Sequence, residues 1–145
     1  MQPHVDVLTL GVRDLEVSRR FYLDGLKWAA TLDVASEVVF IQVGHGLLLA
    51  LYDIEKLEAE ADADYQSGAV PPISLGHNVH SEEEVDAVLA QAGTAGGSII
   101  APGRKMSWGG YSGYFADPDG FRWEVVYNPG LIVDADGTVR IGSAA

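Results

Sequence analysis

One carboxylate stands apart from the other acidic residues of this 145-residue chain. Glu124 lies in the run Phe121-Arg122-Trp123-Glu124-Val125-Val126-Tyr127. Period-two alternation sets Phe121, Trp123, Val125 and Tyr127 to one side, and Arg122, Glu124 and Val126 to the other. A lone carboxylate in a partly dry cavity holds its proton more tightly or keeps a cation beside it. That suits Glu124 to general-base work, or to serving as counter-ion for an amine. The structural alternative is an ion pair with Arg122 or Arg104. A second feature is aromatic density. Trp108, Tyr111 and Tyr114 flank Gly109, Gly110 and Gly113, leaving room for a flat ligand, and aromatic faces attract cations. Trp108 follows Arg104-Lys105-Met106-Ser107 in an expected loop, where binding residues concentrate. Trp28, Phe40 and Tyr52 are candidate walls from the first half, with core packing the alternative for Phe40 and Trp123.

The elements that position these groups come in two rounds. Val5 to Val12 reads as a strand with Leu8, Leu10 and Val12 on one face. Asp14 is a helix N-cap, followed by the apolar stripe Leu15, Val17, Phe21 and Tyr22, and Gly25 is the stop. Strands are expected at Trp28 to Val34, Val38 to Val43 and Leu47 to Tyr52, the last two joined by Gly44-His45-Gly46. The second half repeats the order. Ile73 to His80 is a strand, and Ser81 with Glu84 forms a capping box. Val85, Val88, Leu89 and Ala92 carry the helix, which Gly93 or Gly96 ends. Ser98 to Ala101, Tyr111 to Ala116 and Phe121 to Tyr127 are strands. Asp117-Pro118-Asp119-Gly120 is the turn between the last two. Residues 53–72 form a linker with one short helix on Ile54, Leu57 and Ala61. In the tail, 129–145, Leu131 to Val133 and Val139 to Ile141 form a small hairpin.

Composition sets outer bounds. Hydrophobic residues make up 48% and charged residues 21%, which supports a packed core rather than a disordered chain. No apolar run reaches the ~20 residues of a membrane span, and no secretory signal is expected. Cysteine is absent, which excludes disulfides and thiolate chemistry and suits a cytoplasmic setting. Nine Lys+Arg against 21 Asp+Glu give a net charge of -12. Nucleic acid would be repelled and a cationic small molecule attracted. No phosphate-binding Gly-rich loop and no nucleophile elbow is present.

Leu8-Thr9-Leu10-Gly11-Val12-Arg13-Asp14-Leu15 with Phe21-Tyr22, and Trp108-Gly109-Gly110 followed by Asp117-Pro118-Asp119-Gly120-Phe121-Arg122-Trp123-Glu124, resemble the vicinal oxygen chelate superfamily. That superfamily holds glyoxalases, extradiol dioxygenases, fosfomycin-resistance enzymes and bleomycin-resistance binding proteins. The resemblance covers about residues 5–128. It implies an α+β fold of two tandem βαβββ modules, about 5–52 and 73–128, whose sheets curl around a cavity.

The resemblance also places metal ligands (His, Gln or Glu) on the first and last strand of each module. Transferred through the repeat, those positions fall on Val7, Ala50, Ser74 and Glu124. Only Glu124 is a credible ligand, whereas a transition metal wants three or four N or O donors. No metal and no cofactor is therefore expected. His4 precedes the first strand, His45 sits in a turn and His80 ends a strand beside a helix cap. Each reads as a surface or core histidine. A one-residue slip in register would turn His77 inward, and a similar slip would turn Asp6.

Two functions follow. The first is a metal-free small-molecule binding protein resembling the bleomycin-resistance branch, sequestering a cationic aromatic antibiotic against Trp108, Tyr111, Tyr114 and Glu124. By resemblance it would be a homodimer acting by mass action. The second is a glyoxalase-like lyase or isomerase, or a dioxygenase relative, with Glu124 as catalytic base. Asn78, Gln42 or a rebuilt metal site on His77 or His80 would then polarise the substrate.

Overall fold

The computed structural model describes residues 1–65 and 69–142. The chain divides into two compact units between Ala69 and Val70. The first contains β1 (Val7–Val12), α1 (Leu15–Arg19), a π-helical segment (Arg20–Gly25), β2 (Ala30–Val34), β3 (Val38–Gly44), β4 (Leu47–Asp53) and α2 (Ile54–Ala61). The second contains β5 (Ser74–Asn78), α3 (Glu82–Thr94), β6 (Ser98–Lys105), β7 (Tyr111–Ala116), β8 (Arg122–Tyr127) and the hairpin β9 (Leu131–Val133) and β10 (Val139–Ile141). This is the α+β class with two βαβββ modules.

Both units use one topology. The strand order is β1-β4-β3-β2 in the first sheet and β5-β8-β7-β6 in the second. In each, the first strand runs parallel to the last and the remaining pairs are antiparallel. Each sheet is open, with two edge strands.

Alternation decides what each face carries. In the first unit, Leu10, Val12, Val39, Ile41, Leu49 and Leu51 lie on one face and are buried together with Phe21 and Tyr22. The two rings meet edge to face at 5.0 Å. Asp14 caps α1 by accepting from the Glu16 and Val17 amides. The helix then widens, with Leu26 N–H donating to the Phe21 carbonyl five residues back. Ser18, which lies outside the anticipated stripe, is fully buried in that turn.

In the second unit α3 crosses β6, β7 and β8, burying Val85, Leu89 and Ala92. The Ser81 hydroxyl accepts from the Glu84 amide at 3.2 Å. Glu84 reaches back to His80 N–H rather than to that of Ser81, so the capping box closes one residue early. The helix ends at Gly96, whose φ is +105°. Gly97 N–H bonds to the Ala92 carbonyl and Gly96 N–H to that of Gly93, the paired bonds that let a glycine stop a helix.

Most strand boundaries move by a residue or two, β5 for example to Ser74–Asn78, and three moves are instructive. Strand one begins at Val7, because Val5 and Asp6 fall outside the ladder with β4. Strand two begins at Ala30, because Trp28 N–H instead bonds to the Tyr22 carbonyl. The largest change is β6, which runs on to Lys105 through two irregularities in its pairing with β7. Arg104 and Lys105 are therefore strand residues, and only 106–110 form the turn that carries Trp108. Such irregularities carry a strand across an insertion without ending it, so a propensity reading stops too soon at Pro102-Gly103. None of the helices among the described residues is long and apolar enough to cross a membrane.

Candidate functional site

The face of each sheet turned away from α1 or α3 is the far face. On the second unit it carries Ser74 and Asn78 of β5, Arg122, Glu124 and Val126 of β8, and Ser112, Tyr114 and Ala116 of β7. Arg104 of β6 joins them opposite Ser112. Glu124 is the centre of this group. The Ser112 hydroxyl donates to its Oε1 at 2.7 Å, and the Tyr114 phenol lies beside it, near the Ser74 hydroxyl as well. Burial, and then the neighbouring Glu124 charge, push the Tyr114 phenol above its ordinary value. A carboxylate held by one hydroxyl with a second beside it is oriented and keeps lone pairs for a ligand donor. Its partners are hydroxyls, not the anticipated arginines. The Arg122 guanidinium donates to the Gly120 carbonyl at 3.3 Å.

The turn before β8 fixes this register. Asp117 is 4% exposed and its Oδ1 accepts from the Asp119 and Phe121 amides at 2.9 and 3.0 Å. Its own N–H donates to the Phe121 carbonyl. The strand therefore leaves the turn with Arg122 and Glu124 on the far face.

The other anticipated residues scatter. Tyr111 lies on the helix face, three residues before Tyr114, and donates to the Asp86 carboxylate at 3.1 and 3.2 Å. It does not share a pocket wall with Tyr114, because an odd offset along a strand reverses the side chain. Trp28 packs on Tyr22, ring centroids 5.6 Å apart, and so belongs to the helix side of the first unit. Trp108 is 49% exposed in the β6–β7 turn. Its ring covers Gly110, where any Cβ would collide with the indole and approach the Tyr127 carbonyl. Phe40 is on the far face of the first unit, opposite Ala50. Gln42 is on that face too, but its amide donates to the Gly44 and Leu47 carbonyls at 2.6 and 3.1 Å. It clamps the β3–β4 turn. Asn78 is half-buried on the same face as Glu124. Ser112 is the residue sequence reasoning missed; alternation from Tyr114 was the available signal.

The donor set for a metal is thin. Val7 lies opposite Leu48, Ala50 opposite Thr9, and Ser74 opposite Arg122. His77 pairs with Val125 on the helix face, where burial lowers its pKa; the register slip that would turn it toward Glu124 does not occur. Asp6 lies before β1, and its carboxylate is in hydrogen-bond contact with the His4 ring at 3.2 Å. Among the described residues no group of three or more His, Asp or Glu side chains is placed to hold a metal ion. Of the four positions that the superfamily resemblance marks, only Glu124 carries a side chain that commonly ligates a divalent transition metal.

Relatives share this architecture. A solved glyoxalase-related enzyme from Fulvimarina pelagi is 36% identical, with a TM-score of 0.88, over 98% of this chain and 100% of that one. A glyoxalase/bleomycin resistance protein/dioxygenase from Nocardioides is 22% identical, with a TM-score of 0.73, over 91% of each chain. A lactoylglutathione lyase from Agrobacterium tumefaciens is 23% identical, with a TM-score of 0.66, over 88% of this chain and 96% of that one. No protein of curated function matches the chain. The family model for the Glyoxalase/Bleomycin resistance protein/Dioxygenase superfamily matches residues 4–125. With its doubled βαβββ plan and its Asp-Pro-Asp-Gly turn, the chain belongs to that superfamily.

Proposed function

We propose that this protein is a small-molecule-binding member of the superfamily that works without a divalent metal, with Glu124 as the polar centre of its site. The observation that carries the reading is the state of Glu124. It is the one strong donor at the four positions where the superfamily resemblance puts metal ligands, and the Ser112 hydroxyl, with Tyr114 beside it, holds its carboxylate. A hydroxyl-oriented carboxylate on a sheet face recognises a ligand donor by geometry. Binding is then by mass action, and protection against a toxic compound scales with the amount of protein.

A second reading is favoured by one observation, the 36% identity to a glyoxalase-related enzyme. Under it Glu124 takes a proton from bound substrate, and the Ser112 and Tyr114 hydroxyls orient its lone pairs.

Equilibrium dialysis against Ni, Zn, Mn and Fe(II), with bound metal counted per chain, tests the first reading. Background levels are expected for the wild type and for Glu124→Gln alike. Near-stoichiometric binding that Glu124→Gln abolishes would overturn it. Turnover of the glutathione–methylglyoxal adduct, lost in Glu124→Gln, would instead establish the enzyme.

A further inference from the structure

The far face of the second unit differs in sign from the chain that bears it. The chain carries a net charge of -12 from 21 Asp+Glu against 9 Lys+Arg. Among the described residues, Glu124 is the one acidic strand residue on the far face of either sheet; Glu60 of α2 reaches the first unit's far face at Tyr52, and nothing comparable reaches that of the second. Asp33 of β2 lies opposite the buried Val39 and pairs with Arg19 at 2.6 Å. Asp53 ends β4 and caps α2. The others lie on helices, in turns or between elements. Two arginines, by contrast, stand on the second unit's far face. Arg122 lies opposite Ser74 and Ala116, and Arg104 opposite Ser112.

What each charge is committed to decides what the face attracts. The Glu124 carboxylate accepts from Ser112 at 2.7 Å, with the Tyr114 phenol beside it. Arg122 gives one long bond to a backbone carbonyl, which leaves most of its fork of donors unused. Arg104 is exposed and has no ion-pair partner among the described residues. The charge left over is cationic. The general acidity of the chain does not reverse this, because fields beyond about 10 Å are screened at ordinary salt. A guanidinium two residues along the strand from Glu124, about 7 Å by strand rise, acts within that range.

Resting on the binding reading above, we infer that the ligand of this face is anionic: a small organic molecule whose carboxylate or phosphate oxyanion is held by Arg122, with Arg104 as a second cation and Glu124 accepting from a neighbouring ligand donor. Guanidinium matches either oxyanion through two parallel N–H bonds. This reverses the cationic ligand expected from net charge.

Three probes with a common aromatic ring test it: 3-phenylpropionate, phenyl phosphate and 3-phenylpropylamine. Each is titrated into isotope-labelled full-length protein while the backbone amides of β7 and β8 are followed by NMR. An anion is expected to shift those amides where the amine does not, and the tighter anion names the oxyanion source. Arg122→Gln is expected to weaken anion binding about tenfold, the loss of one charge-assisted contact, with Arg122→Lys recovering part. Should Arg122→Gln fail to fold, Arg104→Gln, at an exposed position, is expected to weaken it by a smaller factor. Glu124→Gln is expected to tighten it. Shifts with the amine alone, or anion binding indifferent to both arginine variants, would overturn the anionic assignment while leaving the binding reading intact. If none of the three probes moves the face, both fall.

Discussion

The two units are built on one pattern and differ at matching positions. Superposing their registers sets Glu124 on Ala50, Tyr114 on Phe40, Ser112 on Val38, Ser74 on Val7 and Arg122 on Leu48. Every polar group around Glu124 thus has an apolar counterpart in the first unit. On the helix faces the same contrast recurs at one point, where His77 of the second unit matches Leu10 of the first. The fold therefore tolerates either chemistry on its far face. What it requires is an apolar helix face, and a site can be written on one repeat while the other keeps the plain version.

Transplanting the site's central residue should break this comparison most severely. Ala50 is 2% exposed and faces Phe40 and Thr9, with no counterpart of the Ser112 and Tyr114 hydroxyls. Ala50→Glu is expected to cost about 3–5 kcal/mol, the usual penalty for a buried charge without a partner, read as a lowered urea midpoint. Adding Val38→Ser and Phe40→Tyr should recover part of the loss. A far smaller cost for Ala50→Glu alone would show that position to be wet, and the two far faces to be less distinct than their sequences suggest.

Removing a hydroxyl from the second unit has a smaller effect. Ser112 is 3% exposed and its bond to Glu124 is 2.7 Å long. Ser112→Ala is expected to lose about 1.5–3 kcal/mol of stability, the range for a hydrogen bond to a charged group. An unchanged denaturation midpoint would mean that water replaces the hydroxyl and that Ser112 does not orient Glu124.

The smallest effect sharpens the helix-face contrast. Burial lowers the pKa of His77, so between that lowered value and the ordinary value of about 6.5 the unfolded chain binds a proton that the folded one does not. Stability is then fully present above pH 6.5 and falls as the pH drops through the folded value. His77→Leu, which copies the first unit, is expected to remove this component. Urea midpoints at pH 7.5 and 5 should differ less in the variant than in the wild type. Equal differences would place His77 in contact with solvent.

Much of this was legible along the chain. Asp14 and Ser81 as caps, the Asp117-Pro118-Asp119-Gly120 turn and the doubled order of elements each depend on neighbours within a few residues. Alternation in β8 depends on nothing else, and it put Glu124 opposite Trp123 before any contact was known. Neighbours in sequence are not neighbours in space. Trp108, Tyr111 and Tyr114 are close along the chain, yet one crowns a turn, one bonds to Asp86 on α3 and one lies beside Glu124. The Trp28 ring marks no site, because packing against Tyr22 claims it. Pro102 and Gly103 concealed the second half of β6, because pairing with β7 outweighs local propensity.

The sequence by itself determined the repeat, the caps, the turns and which residues share a strand face, since these follow from backbone periodicity and local hydrogen bonding. Only the tertiary structure decided which groups surround Glu124, because Ser112 and Tyr114 come to it across a strand pair, and the pairing register is not written in any one strand. It also separated net charge from local charge: -12 over the whole chain, yet two arginines and one engaged carboxylate on the far face of the second sheet. Charge sums over residues, whereas recognition acts over a few ångströms.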